Sequence, residues 1–145
     1  MPVAVVDASA LLAALEPGGV AARQNLVTLS ETHDLAAPTL LPFELGHVIH
    51  RKHPAGYGAT PDERDAALAA ALGAVTLVPP DEERLQAAAR LVDAHRMSFY
   101  DASYLALAAA DESSVLLTED RALHQVAVRV LGPDRALRAS ALQAL

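Results

Sequence analysis

Four carboxylates stand where the chain has no structural use for charge: Asp7 at the end of Val3-Ala4-Val5-Val6, Glu44 inside Leu40-Leu41-Pro42-Phe43-Glu44-Leu45, Asp101 at the head of Asp101-Ala102-Ser103-Tyr104-Leu105-Ala106, and Asp120 shortly after Val115-Leu116-Leu117-Thr118. Burying one unpaired carboxylate costs several kcal/mol, so four beside core segments call for a compensating cation. Oxygen-only donors suit hard divalent ions such as Mg²⁺ or Mn²⁺, which leave positions open for water and phosphate oxygens. Two such ions about 3.5–4 Å apart can activate a water and stabilise the leaving oxygen of a phosphodiester. Each acid also has a plainer reading. Asp7, Asp101 and Asp120 all stand near helix starts, where a carboxylate caps the backbone or meets the macrodipole favourably. Glu44 resists that account, because its flanks are apolar and positions 40, 41, 47 and 48 hold no lysine or arginine.

The elements that must hold these acids alternate between strand and helix. Val3–Val6, Leu35–Ala37, Val75–Val78 and Val115–Leu117 read as short buried strands, and Val128–Leu131 as a last one before Gly132-Pro133. Helices are expected over Ala8–Leu15, Val20–Thr32, Thr39–Lys52 with Thr39 as its cap, Thr60–Leu72, Asp81–Arg96, Tyr100–Ala110 and Glu119–Val126, with a helical tail from Asp134 to Leu145. On Asp81–Arg96 the apolar side is Leu85, Ala88, Ala89 and Val92, and Tyr100–Ala110 is apolar nearly all round, so it must be buried on most sides. Pro54 to Pro61, with Gly56, Tyr57 and Gly58 between, is the stretch with least regular character. This alternation predicts one α/β domain over residues 1–145, with a mainly parallel sheet between helical layers. Ligands of such sheets bind beyond the carboxyl ends of the strands, where Asp7 and Asp120 directly follow strands and Asp101 and Glu44 lie near helix starts.

Composition agrees with one compact core. A chain of 145 residues buries about 70% of the surface its unfolded form exposes. Hydrophobic residues make up 52% and aromatics only 3%, so the core is built from Ala, Leu and Val, whose small size lets helices approach the sheet closely. The absence of cysteine rules out disulfides and thiolate metal sites and fits a reducing, cytoplasmic setting. Met1–Val6 has no basic region and ends at a carboxylate, which argues against a signal peptide, and no apolar run nears the length of a membrane span. A net charge of -7 argues against nonspecific adhesion to nucleic acid but not against a nuclease, whose bound ions reverse the local sign.

Taken in order, Val5-Val6-Asp7-Ala8-Ser9, the helical Glu44, Tyr100-Asp101-Ala102-Ser103-Tyr104-Leu105-Ala106-Leu107-Ala108 and Leu116-Leu117-Thr118-Glu119-Asp120-Arg121-Ala122-Leu123 make the whole chain resemble the PIN-domain ribonucleases, in particular the VapC-type toxins of toxin–antitoxin pairs. The resemblance implies a PIN-like three-layer α/β/α sandwich with a mainly parallel sheet, with Asp7, Glu44, Asp101 and Asp120 as metal-binding and catalytic acids. Ser9 and Thr118 would be nearby hydroxyls that orient a carboxylate or a water. It further implies Mg²⁺- or Mn²⁺-dependent cleavage of RNA to 5′-phosphate and 3′-hydroxyl products, a homodimer, and neutralisation by a small antitoxin protein. Glu119 is a competing acid beside Asp120.

Other groups are weaker candidates. His47, His50 and His53 recur every third residue, but without a third ligand type nearby they read as a solvated or RNA-facing surface, with Arg51 and Lys52 as a small basic patch. Arg96 and Arg121 either contact the RNA backbone or pair with Asp101 and Asp120. Tyr100 and Tyr104 read as core or interface rather than as base-stacking groups. Two other function classes compete. Aspartyl-phosphate receivers and phosphatases also place an Asp after the first strand, yet they require a late lysine, and Lys52 is the only lysine here. A noncatalytic PIN-like binding protein would have no reason to keep all four acids.

Overall fold

The computed structural model describes residues 1–51 and 60–141. Lys52, His53 and the segment from Pro54 through Gly58 lie outside the described residues, as do the last four residues of the expected tail. Among the described residues, five strands form one sheet: β1 (Val3–Val6), β2 (Asp34–Pro38), β3 (Thr76–Val78), β4 (Val115–Thr118) and β5 (Ala136–Arg138), in the order β3-β2-β1-β4-β5 with every pair parallel. The helices are α1 (Ala8–Leu15), α2 (Val20–Ser30), α3 (Leu41–Arg51), α4 (Pro61–Gly73), α5 (Glu82–His95), α6 (Phe99–Ala109) and α7 (Arg121–Leu131).

Right-handed crossovers between parallel strands put α1 to α4 on one face and α5 to α7 on the other, because the chain reverses its progress across the sheet after β3. The packing agrees: α1 lies against α2 and α3, and α3 against α4, while α6 lies against α5 and α7. Both faces of the sheet are covered, which gives the expected α/β/α sandwich. Ala4, Val5, Val6, Ala37, Leu116 and Leu117 are fully buried as near-continuous apolar strands. Small side chains set the helix contacts, as where Ala88 of α5 meets Ala102 and Ala106 of α6.

Four expectations are corrected. Val128–Leu131 is the last turn of α7 rather than a strand, since Leu123, Val126, Ala127 and Leu131 are buried at helical spacing and Gly132, at φ 92°, ends the helix. The fifth strand comes later. Ala136–Arg138, expected within a tail helix, pairs instead with Leu116–Thr118, and a short 3₁₀ turn (Ala139–Ala141) follows. The helix carrying Glu44 starts at Leu41, with the Glu44 N–H bonded to the Leu40 carbonyl, and Thr39 stays in the preceding turn. On α5, Ala88 packs inward as expected, but Leu85 and Ala89 are exposed.

Candidate active site

The sheet order places the topological switch point between β1 and β4, whose connections leave in opposite directions, and the crevice beyond their carboxyl ends is where such sheets bind ligands. Asp7 stands at that crevice. Its N–H makes the last rung of the β1–β4 ladder, to the Leu117 carbonyl at 3.2 Å. Its side chain caps α1, with Oδ1 accepting from the Ala10 N–H at 3.0 Å and the Ser9 hydroxyl at 2.7 Å, while Oδ2 accepts from the Thr118 hydroxyl at 2.6 Å. The capping and functional readings of Asp7 therefore coexist. Burial pushes its carboxyl up to about 6 despite these bonds, and the charge of Asp101 adds to the rise.

Ser9 and Thr118 do more than hold Asp7. With their protons given to its carboxylate, their oxygens are free to accept. Ser9 Oγ takes the N–H groups of Glu119 and Asp120 at 2.9 and 3.2 Å, and Thr118 Oγ1 takes the Asp120 N–H at 3.1 Å. The turn from β4 to α7 is thus fastened to the start of α1. Asp120 then caps α7, accepting from the Leu123 N–H at 2.8 Å, and remains exposed.

Asp101 lies in the first turn of α6, with its N–H bonded to the Ser98 hydroxyl at 3.0 Å. Burial raises its carboxyl, as does the charge of Asp120, against a lowering hydrogen bond with Ser98. Glu44, half-buried on α3, accepts the Tyr104 hydroxyl at 2.8 Å; burial raises its carboxyl too, and the charge of Asp101 reinforces this. The Tyr104 hydroxyl is itself pushed above its ordinary value by burial and by the Glu44 charge. Asp101 is therefore the electrostatic centre of the group, coupled to Asp7, Glu44 and Asp120 from three separate parts of the chain. Glu119 stays apart. Its carboxylate accepts from the Arg138 guanidinium at 2.8 Å and from the N–H and hydroxyl of Ser140 at 2.8 and 2.7 Å, and these bonds outweigh partial burial to leave it below the usual glutamate range.

None of the four acids has a cationic partner among the described residues. Nor do any three His, Asp or Glu side chains among those residues form a set that would hold one ion together. Uncompensated oxygen donors without a closed cage fit an ion like Mg²⁺, which keeps several waters and takes only one or two carboxylates. Arg96 and Arg121 are exposed and pair with neither Asp101 nor Asp120. His47 and His50 are exposed on α3, with His50 Nδ1 against the Gly46 carbonyl at 2.8 Å. Two contributors escaped the sequence reading. Tyr104, expected as core and indeed buried, also orients Glu44. Ser98 caps the helix of Asp101, and its signal was available as the capping pattern Ser98-Phe99-Tyr100-Asp101.

The sequence model of the PIN domain family matches residues 4–129 of this chain. The chain belongs to the PIN domain family. No curated protein matches this PIN domain in sequence. Solved structures that share its fold include PAE2754 from Pyrobaculum aerophilum, at TM-score 0.67 and 25% identity over 95% of this chain and 84% of that one. VapC20 from Mycobacterium tuberculosis, described as a sarcin-ricin loop cleaving toxin, aligns at TM-score 0.63 and 17% identity over 84% and 93% of the two chains. VapBC2 from Rickettsia felis, bound to a DNA fragment from its promoter, aligns at TM-score 0.64 and 10% identity over 94% and 96%. No helix among the described residues of this PIN domain is long and apolar enough to cross a membrane.

Proposed function

We propose that this PIN domain is a divalent-metal-dependent endoribonuclease, a VapC-type toxin that acts in the cytoplasm as a homodimer and is neutralised by a cognate antitoxin. The observation that carries the chemistry is that Asp101 acts on Asp7 and Glu44, and Asp120 on Asp101, while none of the four has a cationic partner among the described residues. The toxin reading draws support from the likeness in fold to the sarcin-ricin loop cleaving VapC20 and to VapBC2.

Asp7, Glu44, Asp101 and Asp120 would supply the carboxylates for Mg²⁺ or Mn²⁺, each ion taking one or two of them and completing its shell with water, since no three of them form a set for one ion. When bound, it supplies Lewis-acid polarisation of a phosphate oxygen and a water acidified enough to attack at neutral pH. The residues of the chain provide position and proton control. Ser9 and Thr118 fix both oxygens of Asp7, and Tyr104 fixes one oxygen of Glu44, so neither carboxylate has to search for its orientation. With its carboxyl near 6, Asp7 is mostly ionised at neutral pH and available as a ligand, while mild acid protonates it.

The test is cleavage of single-stranded RNA with Mg²⁺ or Mn²⁺, which should yield 5′-phosphate and 3′-hydroxyl ends and stop on chelation. Full activity in excess EDTA, or in the Asp7→Asn protein, would overturn the reading.

A further inference from the structure

A cleft of about 320 Å³ lies between the α5–α6 turn and α7, and its lining includes His95, Arg96, Ser98, Asp101, Gln125 and Arg129. Asp101 belongs both to the acidic group and to this cleft. Along α7, Arg121, Gln125 and Arg129 recur at every fourth position and all are exposed, while Leu123, Val126, Ala127 and Leu131 turn to the core. The three form a stripe about 12 Å long, and it starts beside the capping Asp120.

These guanidinium groups are not engaged by the protein's own acceptors among the described residues, as some others are. Arg23 and Arg135 bind backbone carbonyls and Arg138 binds Glu119. Among the described residues, the side chains of Arg96, Arg121 and Arg129 make no hydrogen bond or ion pair, although acids stand near them in sequence. Arg96 also adopts the left-handed conformation, φ 53° and ψ 43°, at the end of α5. Glycine takes that position at no steric penalty, whereas any other side chain is strained there. A long cationic side chain at a strained turn, opening on the cleft that contains Asp101, points to an anionic ligand.

We propose that this cleft is the phosphate track of the substrate strand. With the scissile phosphate at the four acids, Arg96 and Arg129 hold neighbouring phosphates of a single-stranded RNA, Arg121 holds one beside Asp120, and Gln125 bonds the sugar or phosphate between them. The placement of the scissile phosphate rests on the nuclease reading. Because the protein as a whole carries -7, attraction is confined to this stripe and falls steeply with salt.

The experiment pairs Arg96→Gly, which removes the guanidinium while relaxing the backbone, with Arg129→Gln, and takes Arg90→Gln, exposed on α5 and not part of the cleft lining, as control. Binding of a fluorescent single-stranded RNA is measured by anisotropy over a salt series in the Asp7→Asn background with Mg²⁺, and KM and kcat are measured in otherwise unmodified protein. Each cleft variant should weaken binding about threefold to tenfold and flatten the slope of log K against log salt by about 0.7 for every phosphate that is no longer neutralised. The loss should fall on KM rather than kcat, Arg96→Gly should melt no lower than its parent, and Arg90→Gln should change nothing. If the parent cleaves RNA and the cleft variants keep its KM and salt slope, the track is overturned and the nuclease reading stands. If the parent cleaves nothing but its RNA binding is lost with these arginines, the track stands and the nuclease reading falls. A parent that binds no single-stranded RNA, or variants that lose affinity only in step with melting temperature, would also overturn the track.

Discussion

Asp7 shows how one residue carries opposing demands. It caps α1, closes the β1–β4 ladder and waits as an anion in a nearly dry place, with only 4% of its surface exposed. Its folded value of about 6 lies above the ordinary 3.8, so between these pH values the folded state binds more protons than the unfolded chain. Stability in EDTA must therefore fall as pH rises through that window and stay low above it. The rise is worth at most about 3 kcal/mol, and Glu44 and Asp101, raised in the same direction, add to it. Melting in EDTA should accordingly occur at higher temperature at pH 5.5 than at pH 7.5, and Asp7→Asn should remove most of the difference. A melting temperature that is flat or falls towards pH 5.5 in the unmodified protein would contradict the assignment. The candidate acids stand out in the sequence because charge beside apolar runs conflicts with burial, which needs no knowledge of the fold. The bond from Tyr104 to Glu44 was not, because the two are 60 residues apart and the register of α6 against α3 leaves no local trace.

At the scale of elements, the site is fastened by hydroxyls that tie the end of β4 to the start of α1. Thr118 is fully buried, donates to Asp7 Oδ2 and accepts from the Asp120 N–H. Thr118→Val keeps the shape and deletes both bonds, leaving a buried carboxylate oxygen without its donor at a cost of about 1–3 kcal/mol. Urea denaturation in EDTA at neutral pH should show that loss, Thr118→Ser should recover most of it, and RNA cleavage should fall in Thr118→Val alone. Equal stability and activity in all three proteins would show that the clamp is dispensable. The elements themselves were largely readable, with the clearest failure at the end of the chain. Val126, Val128 and Val130 alternate like a strand, yet the burial of Leu123, Val126, Ala127 and Leu131 follows a helix. Ala136-Leu137-Arg138 has residues that favour helices, and only pairing with β4 makes it a strand, a tertiary effect that outweighs local preference.

At the scale of the whole molecule, the described residues leave an apolar surface and an acidic one besides the arginine stripe. Leu85, Phe99 and Tyr100 border an apolar cleft of about 210 Å³ beyond β2 and β3, together with Pro79 and Pro80. Phe43, in the first turn of α3, is 81% exposed, and Tyr100 is 64% exposed. So much aromatic surface in a chain with only 3% aromatics suits a contact between copies, and light scattering should report a dimer of the protein alone at high micromolar concentration. A monomer there would count against it. The acidic surface has a different consequence, because Asp101 meets the charge of acids from three other parts of the fold. Without metal, the charge of Asp101 raises the proton affinity of Asp7 and Glu44, and the charge of Asp120 raises that of Asp101, which strains the folded state, so neutralising Asp101 removes the largest share of that repulsion. Asp101→Asn should therefore lose RNA cleavage yet melt higher than the unmodified protein in EDTA at neutral pH. The gain is on the order of 1 kcal/mol, since water and salt screen a partly open site. Asn preserves a hydrogen bond to Ser98, so the first turn of α6 is not the source of any change. Added Mg²⁺ should shrink the gain or reverse it, because the unmodified protein alone recovers binding energy from the ion. Were Asp101 only a first-turn residue favouring the helix dipole, its replacement would cost a few tenths of a kcal/mol, leave cleavage intact and be indifferent to metal. Retained cleavage with metal-independent melting in both proteins would remove Asp101 from the site, and with it the electrostatic link that joins the other three acids.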